Sequence, residues 1–86
     1  MAPEVLEREV LDILREVAGT DQVVRDPDLP LYASGLLDSL ATVTLMAALE
    51  ERLGVSVSPA AFDPTAWATP RQLLADVARR LQAQGA

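Results

Sequence analysis

The residues best placed to take part in a reaction are Asp38 and Ser39, which follow a glycine-containing loop and precede a run of helix-forming residues. A serine at the start of a helix is accessible to solvent, and the unpaired N–H groups of the first turn favour negative charge beside it. A phosphate ester on the Ser39 hydroxyl is therefore well placed. The same two residues also suit ordinary helix capping, because Asp is a preferred N-cap residue.

The composition of the chain limits what Ser39 can do. The 86 residues include no His and no Cys, and all seven basic residues are Arg. The side chains that most often activate a nucleophile or bind zinc are therefore missing. Asp26 and Asp28 resemble the start of a calcium loop but lack its remaining ligands and its glycine, so no metal site is predicted. We expect Ser39 to accept a modification, and we expect no catalytic activity.

The charge balance and the hydropathy pattern exclude further classes. Thirteen acidic residues against seven basic ones give a net charge of −6, which opposes binding to the phosphate backbone of a nucleic acid. No apolar run is long enough to cross a bilayer, and the acidic segment from Met1 to Glu4 does not resemble a secretory signal. We expect a cytoplasmic protein that folds without disulfides as a single domain over residues 1–86.

Three main helices are predicted to position the junction between the loop and the helix. Apolar residues at helical spacing predict a first helix over residues 3–17. A second helix is predicted over residues 39–53, with Asp38 as its N-cap and Gly54 as its C-cap. The last helix opens at Thr69, which is followed by Pro and then by the Gln of a capping box.

The segments between these helices are predicted from their turn-forming residues. Residues 20–37 mix such residues with scattered apolar side chains, which indicates a long structured loop that packs across the core. Residues 59–62 are expected to form one helical turn, and residues 63–67 a loop. The predicted fold is all-α: a small bundle of three main helices plus one short helix, with a long structured loop between the first two.

This pattern resembles the acyl and peptidyl carrier protein family. The resemblance rests on the motif Asp38-Ser39-Leu40, on the Gly35-Leu-Leu segment before it and on the helix end from Leu49 to Gly54. Members of the family are small acidic bundles of this kind, and they carry a 4′-phosphopantetheine arm on the Ser of an Asp-Ser-Leu motif. The resemblance implies attachment to Ser39 by a phosphopantetheinyl transferase that uses coenzyme A and Mg²⁺. Asp38 is then a metal-binding or hydrogen-bonding neighbour of the attachment site.

A narrower resemblance points to D-alanyl carrier proteins, which have a Phe-containing turn followed by Asp-Trp-Asn-Thr before the last helix. Here Phe62-Asp63 and Trp67-Ala-Thr69 match that pattern, whereas Ala66 and Ala68 replace the polar residues that flank the Trp. The leading hypothesis is a freestanding carrier of an aminoacyl or small acyl group in natural-product biosynthesis. It would be loaded by an adenylating ligase and would deliver to an acyltransferase or a synthase.

Two alternatives to this hypothesis remain open. The first is a D-alanyl carrier protein in the modification of teichoic acids. The second belongs to another class: an unmodified helical interaction module, in which Asp38 and Ser39 serve only as a cap.

The resemblance also implies that partner enzymes contact the second main helix and the loop before it. This face is acidic in many fatty-acid carriers, but here it is mostly small and apolar. We therefore expect hydrophobic contacts with a weak dependence on salt. The competing interpretation of Leu40 is a core residue. The expected contact residues, in a chain expected to be monomeric, are Leu37, Leu40, Ala41, Thr44 and Ala48.

Overall fold

The computed structural model describes residues 2–85. Its helices are α1 (Pro3–Ala18), α2 (Gln22–Arg25), α3 (Ser39–Leu53) and α4 (Pro70–Gly85), with 3₁₀ turns at Pro59–Ala61 and Pro64–Trp67. No strand occurs in this part of the chain. The predicted all-α bundle of three main helices is therefore confirmed.

The ends of α3 follow from capping chemistry. The Oδ1 atom of Asp38 accepts a hydrogen bond of 2.8 Å from the backbone N–H of Ala41, which satisfies one of the donors that a helix start leaves free. At the other end, Gly54 adopts a φ of +71°, in the left-handed region where glycine is the favoured residue. The predicted bounds of α3 are confirmed at both ends.

The hydrophobic core lies between the long helices and includes residues of the connecting loops. Its side chains are fully or almost fully removed from solvent, which stabilises the fold by about 1.5–3 kcal/mol for each large apolar residue. No helix within residues 2–85 is long and apolar enough to span a membrane. The largest side chains that are fully buried are those of Val10, Ile13, Leu14, Val23, Leu31, Leu45, Leu49, Val55, Trp67, Pro70, Leu73 and Val77.

Two short elements were not predicted. Helix α2 is a single turn within the predicted loop of residues 20–37, and it buries Val23. The turn at Pro64–Trp67 replaces the predicted loop of residues 63–67, and the Oδ1 atom of Asp63 caps it by accepting from the N–H of Thr65 at 3.0 Å. Elements of one turn are too short to show a helical period in the sequence. The turn at Pro59–Ala61 falls where one helical turn was expected.

The long loop between α2 and α3 is tied to the start of α4. The backbone N–H of Leu31 donates to the carbonyl of Ala68 at 2.8 Å, and that of Arg71 donates to the carbonyl of Pro27 at 2.9 Å. Leu31 is fully buried, as expected for a loop that packs across the core. These contacts hold the loop against the start of α4.

Candidate modification site at the start of α3

Ser39 is the first residue of α3, and its side chain is exposed to solvent. Asp38 before it has an extended backbone, with φ −125° and ψ −170°, and caps the helix through Ala41. A helix leaves the N–H groups of its first turn without partners inside the helix, and these groups together with the helix dipole favour an anion at this position. The hydroxyl of Ser39 is thus both accessible and placed where a phosphate is stabilised.

A partly buried chain of hydrogen bonds connects the loop to the start of α3. The hydroxyl Oγ1 of Thr42 donates to the carbonyl oxygen of Asp38 at 2.7 Å, and the hydroxyl of Tyr32 lies 2.7 Å from the same Oγ1. A threonine hydroxyl carries one proton, so Tyr32 must be the donor to Thr42. The loop is in this way linked through two side chains to the residue that precedes Ser39.

The turn before the site depends on a glycine. Gly35 has a φ of +84°, and its N–H donates to the carbonyl of Tyr32 at 3.1 Å. This left-handed conformation is strained for residues with a Cβ atom. The turn lets the chain reverse, so that Leu37 enters the core and the N–H of Leu37 donates to the carbonyl of Leu31 at 3.0 Å. The chain then emerges at Asp38.

An open groove of about 440 Å³ lies between α3 and the 3₁₀ turns. Asp38 and Ser39 are among its lining residues, and most of its surface is apolar. Such a groove can accept an uncharged group of modest size. The other lining residues are Tyr32, Thr42, Val43, Met46, Pro59, Phe62 and Pro64.

The five expected contact residues differ in their exposure to solvent. Leu40 is 74% exposed, so its competing interpretation as a core residue is wrong. Thr44 is also exposed, while Ala41 and Ala48 are partly buried against the core. Leu37 is 2% exposed and requires a correction: it is a core residue and offers no surface to a partner, because the turn before α3 directs it inward.

Val43 is an exposed apolar residue that the sequence did not single out. It is 54% exposed and lies three residues after Leu40, so the two side chains share one face of α3. The apolar residues of α3 surround the helix, and their pattern alone could not show which of them face solvent.

Asp76 is the second residue that was missed, a buried acid on α4. Its Oδ2 atom accepts from the indole Nε1 of Trp67 at 2.7 Å and from Nε of Arg80 at 2.8 Å, and Arg79 pairs with its other oxygen. Burial raises the pKa of this carboxyl, but the hydrogen bonds from Arg80 and Trp67 and the charges of both Arg residues outweigh it, so the pKa lies below its usual value. The available signal was an acid three and four residues before two Arg residues.

Comparison with known proteins now adds to this geometry. Residues 8–77 match the family model described as "Phosphopantetheine attachment site". The chain belongs to this family. Ser39 lies inside the matched range, at the start of α3.

Members of the phosphopantetheine attachment family with similar sequences include several D-alanyl carrier proteins. That of Enterococcus faecalis is 44% identical over 72 residues, covering 84% of this chain and 92% of its own length. That of Lacticaseibacillus rhamnosus is 42% identical over 77 residues, covering 90% and 95%. That of Listeria monocytogenes is 46% identical over 65 residues, covering 76% and 83%. The resemblance inferred from the sequence is confirmed.

Membership of the phosphopantetheine attachment family means that the chain is a non-catalytic carrier protein whose prosthetic group is 4′-phosphopantetheine, attached to a serine. The chain has four serines, at positions 34, 39, 56 and 58. Ser34 donates to the carbonyl of Leu31 at 3.3 Å. Ser39 fits the group, because its exposed hydroxyl opens onto a groove and lies beside the N–H groups of a long helix.

Proposed function

We propose that Ser39 carries the 4′-phosphopantetheine arm. The observation that carries this proposal is the exposed Ser39 hydroxyl at the capped start of α3, within the range that matches the family. When attached, the arm supplies a thiol, which this cysteine-free chain lacks, and that thiol holds an acyl group as a thioester.

The residues around Ser39 have separate tasks in this proposal. Ser39 provides the acceptor oxygen, and the attaching enzyme provides the base, because the chain has no His, Cys or Lys to remove the proton. Asp38 fixes the backbone of the first turn through its hydrogen bond with Ala41. The first-turn N–H groups stabilise the negative charge of a phosphodiester on Ser39.

The partners follow from the chemistry that the chain cannot perform. A phosphopantetheinyl transferase that uses coenzyme A and Mg²⁺ attaches the arm, an adenylating ligase loads it, and an acyltransferase or synthase receives the acyl group. We assign to these partners the surface of Leu40, Ala41, Thr44 and Ala48, and we add Val43, which shares its face with Leu40. Leu37 is left out because it is buried.

The carrier is proposed to act as a freestanding, monomeric, cytoplasmic domain over residues 1–86. The chain spans 92% of the relative from E. faecalis and 95% of that from L. rhamnosus, so the proposed carrier domain has the size of those relatives. Within residues 2–85, no group of three or more acidic side chains is placed to hold a metal ion.

D-alanine is the cargo that the relatives favour, because each of those named above is a D-alanyl carrier protein. We therefore propose an aminoacyl carrier with D-alanine as the first candidate, in teichoic acid modification. Natural-product biosynthesis, which the departures at Ala66 and Ala68 favoured, stays a prediction. The two pathways are expected to differ in the ligase that loads the arm.

The attachment is tested by the mass of the intact protein after incubation with a broad-range phosphopantetheinyl transferase, coenzyme A and Mg²⁺. We expect the mass to increase by one arm, and we expect Ser39→Ala to abolish the increase. Ser58→Ala is the matched control, because Ser58 is also exposed and precedes a 3₁₀ turn but lies in no Asp-Ser-Leu motif. An unchanged mass for the native chain would leave the unmodified interaction module as the better account.

The cargo is tested on the modified protein with candidate adenylating ligases and a panel of amino and carboxylic acids. D-alanine is expected to form a thioester that hydroxylamine releases. Loading by L-amino acids or carboxylic acids alone would overturn D-alanine as the cargo while leaving the carrier role intact.

A further inference from the structure

Phe62, on one wall of the groove beside Ser39, rests on the ring of Trp67 behind it. Phe62 lines the groove, and its ring centroid lies 4.6 Å from that of Trp67 with an angle of 59° between the rings. A tilted arrangement at this distance is favourable for aromatic rings. Trp67 is fully buried and Phe62 is half-buried, so Trp67 provides the support and Phe62 the surface.

The position of Trp67 depends in turn on Asp76. The indole N–H is a donor without an acceptor function, and in a buried site it must find an oxygen. The Oδ2 atom of Asp76 is that oxygen, at 2.7 Å, and Arg80 holds the same atom at 2.8 Å. A single carboxylate on α4 therefore sets the orientation of the ring on which Phe62 rests.

The position of Ser39 indicates which group occupies the groove. Ser39 lines the groove, so any group on its Oγ atom begins there. In 4′-phosphopantetheine, the part next to the phosphate is the dimethyl carbon of the pantoyl unit, which is apolar. Val43, Met46 and Phe62 line the groove, and packing of the apolar pantoyl unit against these side chains is favourable because it removes apolar surface from water.

We propose that Asp76 is a positioning residue for the prosthetic arm: through Trp67 it holds Phe62 as the wall against which the pantoyl methyl groups pack. This inference rests on the proposed attachment to Ser39. It assigns a task to a carboxylate that lies outside the attachment motif and on another helix. The arm then leaves the protein along the groove, with its thiol end free to reach partner enzymes.

The test uses the modified protein and the proton resonances of the two pantoyl methyl groups. In the native protein we expect them shifted upfield from their positions in free pantetheine, by the ring current of Phe62. Phe62→Leu is expected to abolish the shift. Asp76→Ala is expected to reduce it, and Asp76→Asn to retain it, because the Asn oxygen still accepts from the indole N–H. Glu50→Ala, an equal change of charge at an exposed position, is the control.

The outcomes distinguish this inference from the attachment itself. A protein whose mass does not increase overturns the attachment, and no methyl resonances are then observed. A modified protein whose methyl groups resonate as in free pantetheine overturns the groove as their binding place. A full shift in folded Asp76→Ala overturns the role of Asp76. If Asp76→Ala does not fold, Trp67→Phe, which removes the N–H but keeps an aromatic ring, must reduce the shift.

Discussion

The hydroxyl of Tyr32 lies 2.7 Å from Oγ1 of Thr42, ten residues further along the chain. Because Thr42 gives its only proton to the carbonyl of Asp38, the bond from Tyr32 completes a directed chain from the loop to the residue before Ser39. Thr42 is 5% exposed, so water cannot readily replace its partners. The loop and the start of α3 are therefore expected to unfold together.

Thr42→Val tests this coupling. The substitution keeps the shape of the side chain but removes the hydroxyl and leaves Tyr32 without its acceptor, so we expect the free energy of unfolding to fall by about 1–2 kcal/mol in a urea titration. Thr44→Val is the matched control. The hydroxyl of Thr44 makes the same kind of bond, to the carbonyl of Leu40 at 3.0 Å, but Thr44 is exposed, and we expect a change within about 0.5 kcal/mol.

A double-mutant cycle with Tyr32→Phe separates the bond from its surroundings. If Tyr32 and Thr42 act as one unit, the loss in Thr42→Val plus Tyr32→Phe is smaller than the sum of the single losses by at least about 0.5 kcal/mol. Strictly additive losses would contradict the coupling.

The long helices could be predicted because their ends carry their own chemistry. Asp38, Gly54 and Thr69 each satisfy a backbone requirement of a helix end through a local contact, and local contacts are visible in sequence. Ser39 was singled out as the candidate site because it lies at such an end and because the surrounding chain resembles the carrier proteins; its role stays a prediction.

The remaining features depend on contacts between distant segments. Leu37 and Leu40 are both leucines beside the motif, and only the turn at Gly35 decides that the first is buried and the second exposed. Asp76 was overlooked because acids on helices are mostly solvated, and its burial depends on Trp67, nine residues earlier.

Leu37→Ala is predicted to lower the stability of the fold far more than Leu40→Ala. Truncating Leu37 removes a core side chain, which costs about 2–5 kcal/mol of unfolding free energy. Truncating Leu40 removes an exposed one, and we expect a change within about 0.5 kcal/mol. Thermal or urea unfolding of the two variants measures both values. Equal losses would contradict the burial of Leu37.

The affinity of a partner enzyme is predicted to depend on Leu40. Its exposed side chain adjoins Ser39, so an enzyme that reaches Ser39 covers it, and Leu40→Ala should weaken binding by at least about 1 kcal/mol, roughly fivefold in Kd. Val24→Ala changes an exposed apolar residue outside α3; it is the control and should leave Kd unchanged. Calorimetry with the transferase at low and high salt measures both effects. A Kd that rises steeply with salt would show that charge dominates the contact.

Acid is predicted to remove the stabilisation that Asp76 provides. The pKa of Asp76 is lower in the folded chain than its usual value, so the carboxylate stabilises the fold above that usual value, and the contribution is lost as the pH falls through the lower folded pKa. At about pH 7, Asp76→Asn should cost about 1–3 kcal/mol, because bonds from Arg79 and Arg80 lose a charged acceptor. As the pH falls below the usual carboxyl pKa of 3.8, the native chain and the variant should differ progressively less. A constant difference across this range would contradict the assignment.

The capping role of Asp38 and its role as a neighbour of the modification are predicted to be separable by substitution. Asp38→Asn keeps an oxygen that can accept from the N–H of Ala41, so its stability should stay within about 0.5 kcal/mol of the native chain, whereas Asp38→Ala should lose about 1 kcal/mol. The rate of arm attachment is then measured on both variants at a temperature where both are folded. If the cap alone matters, Asp38→Asn is modified at the native rate and only Asp38→Ala slows. If Asp38→Asn has native stability but is modified slowly, the negative charge of Asp38 takes part in the attachment step, where it can bind the Mg²⁺ of the transferase.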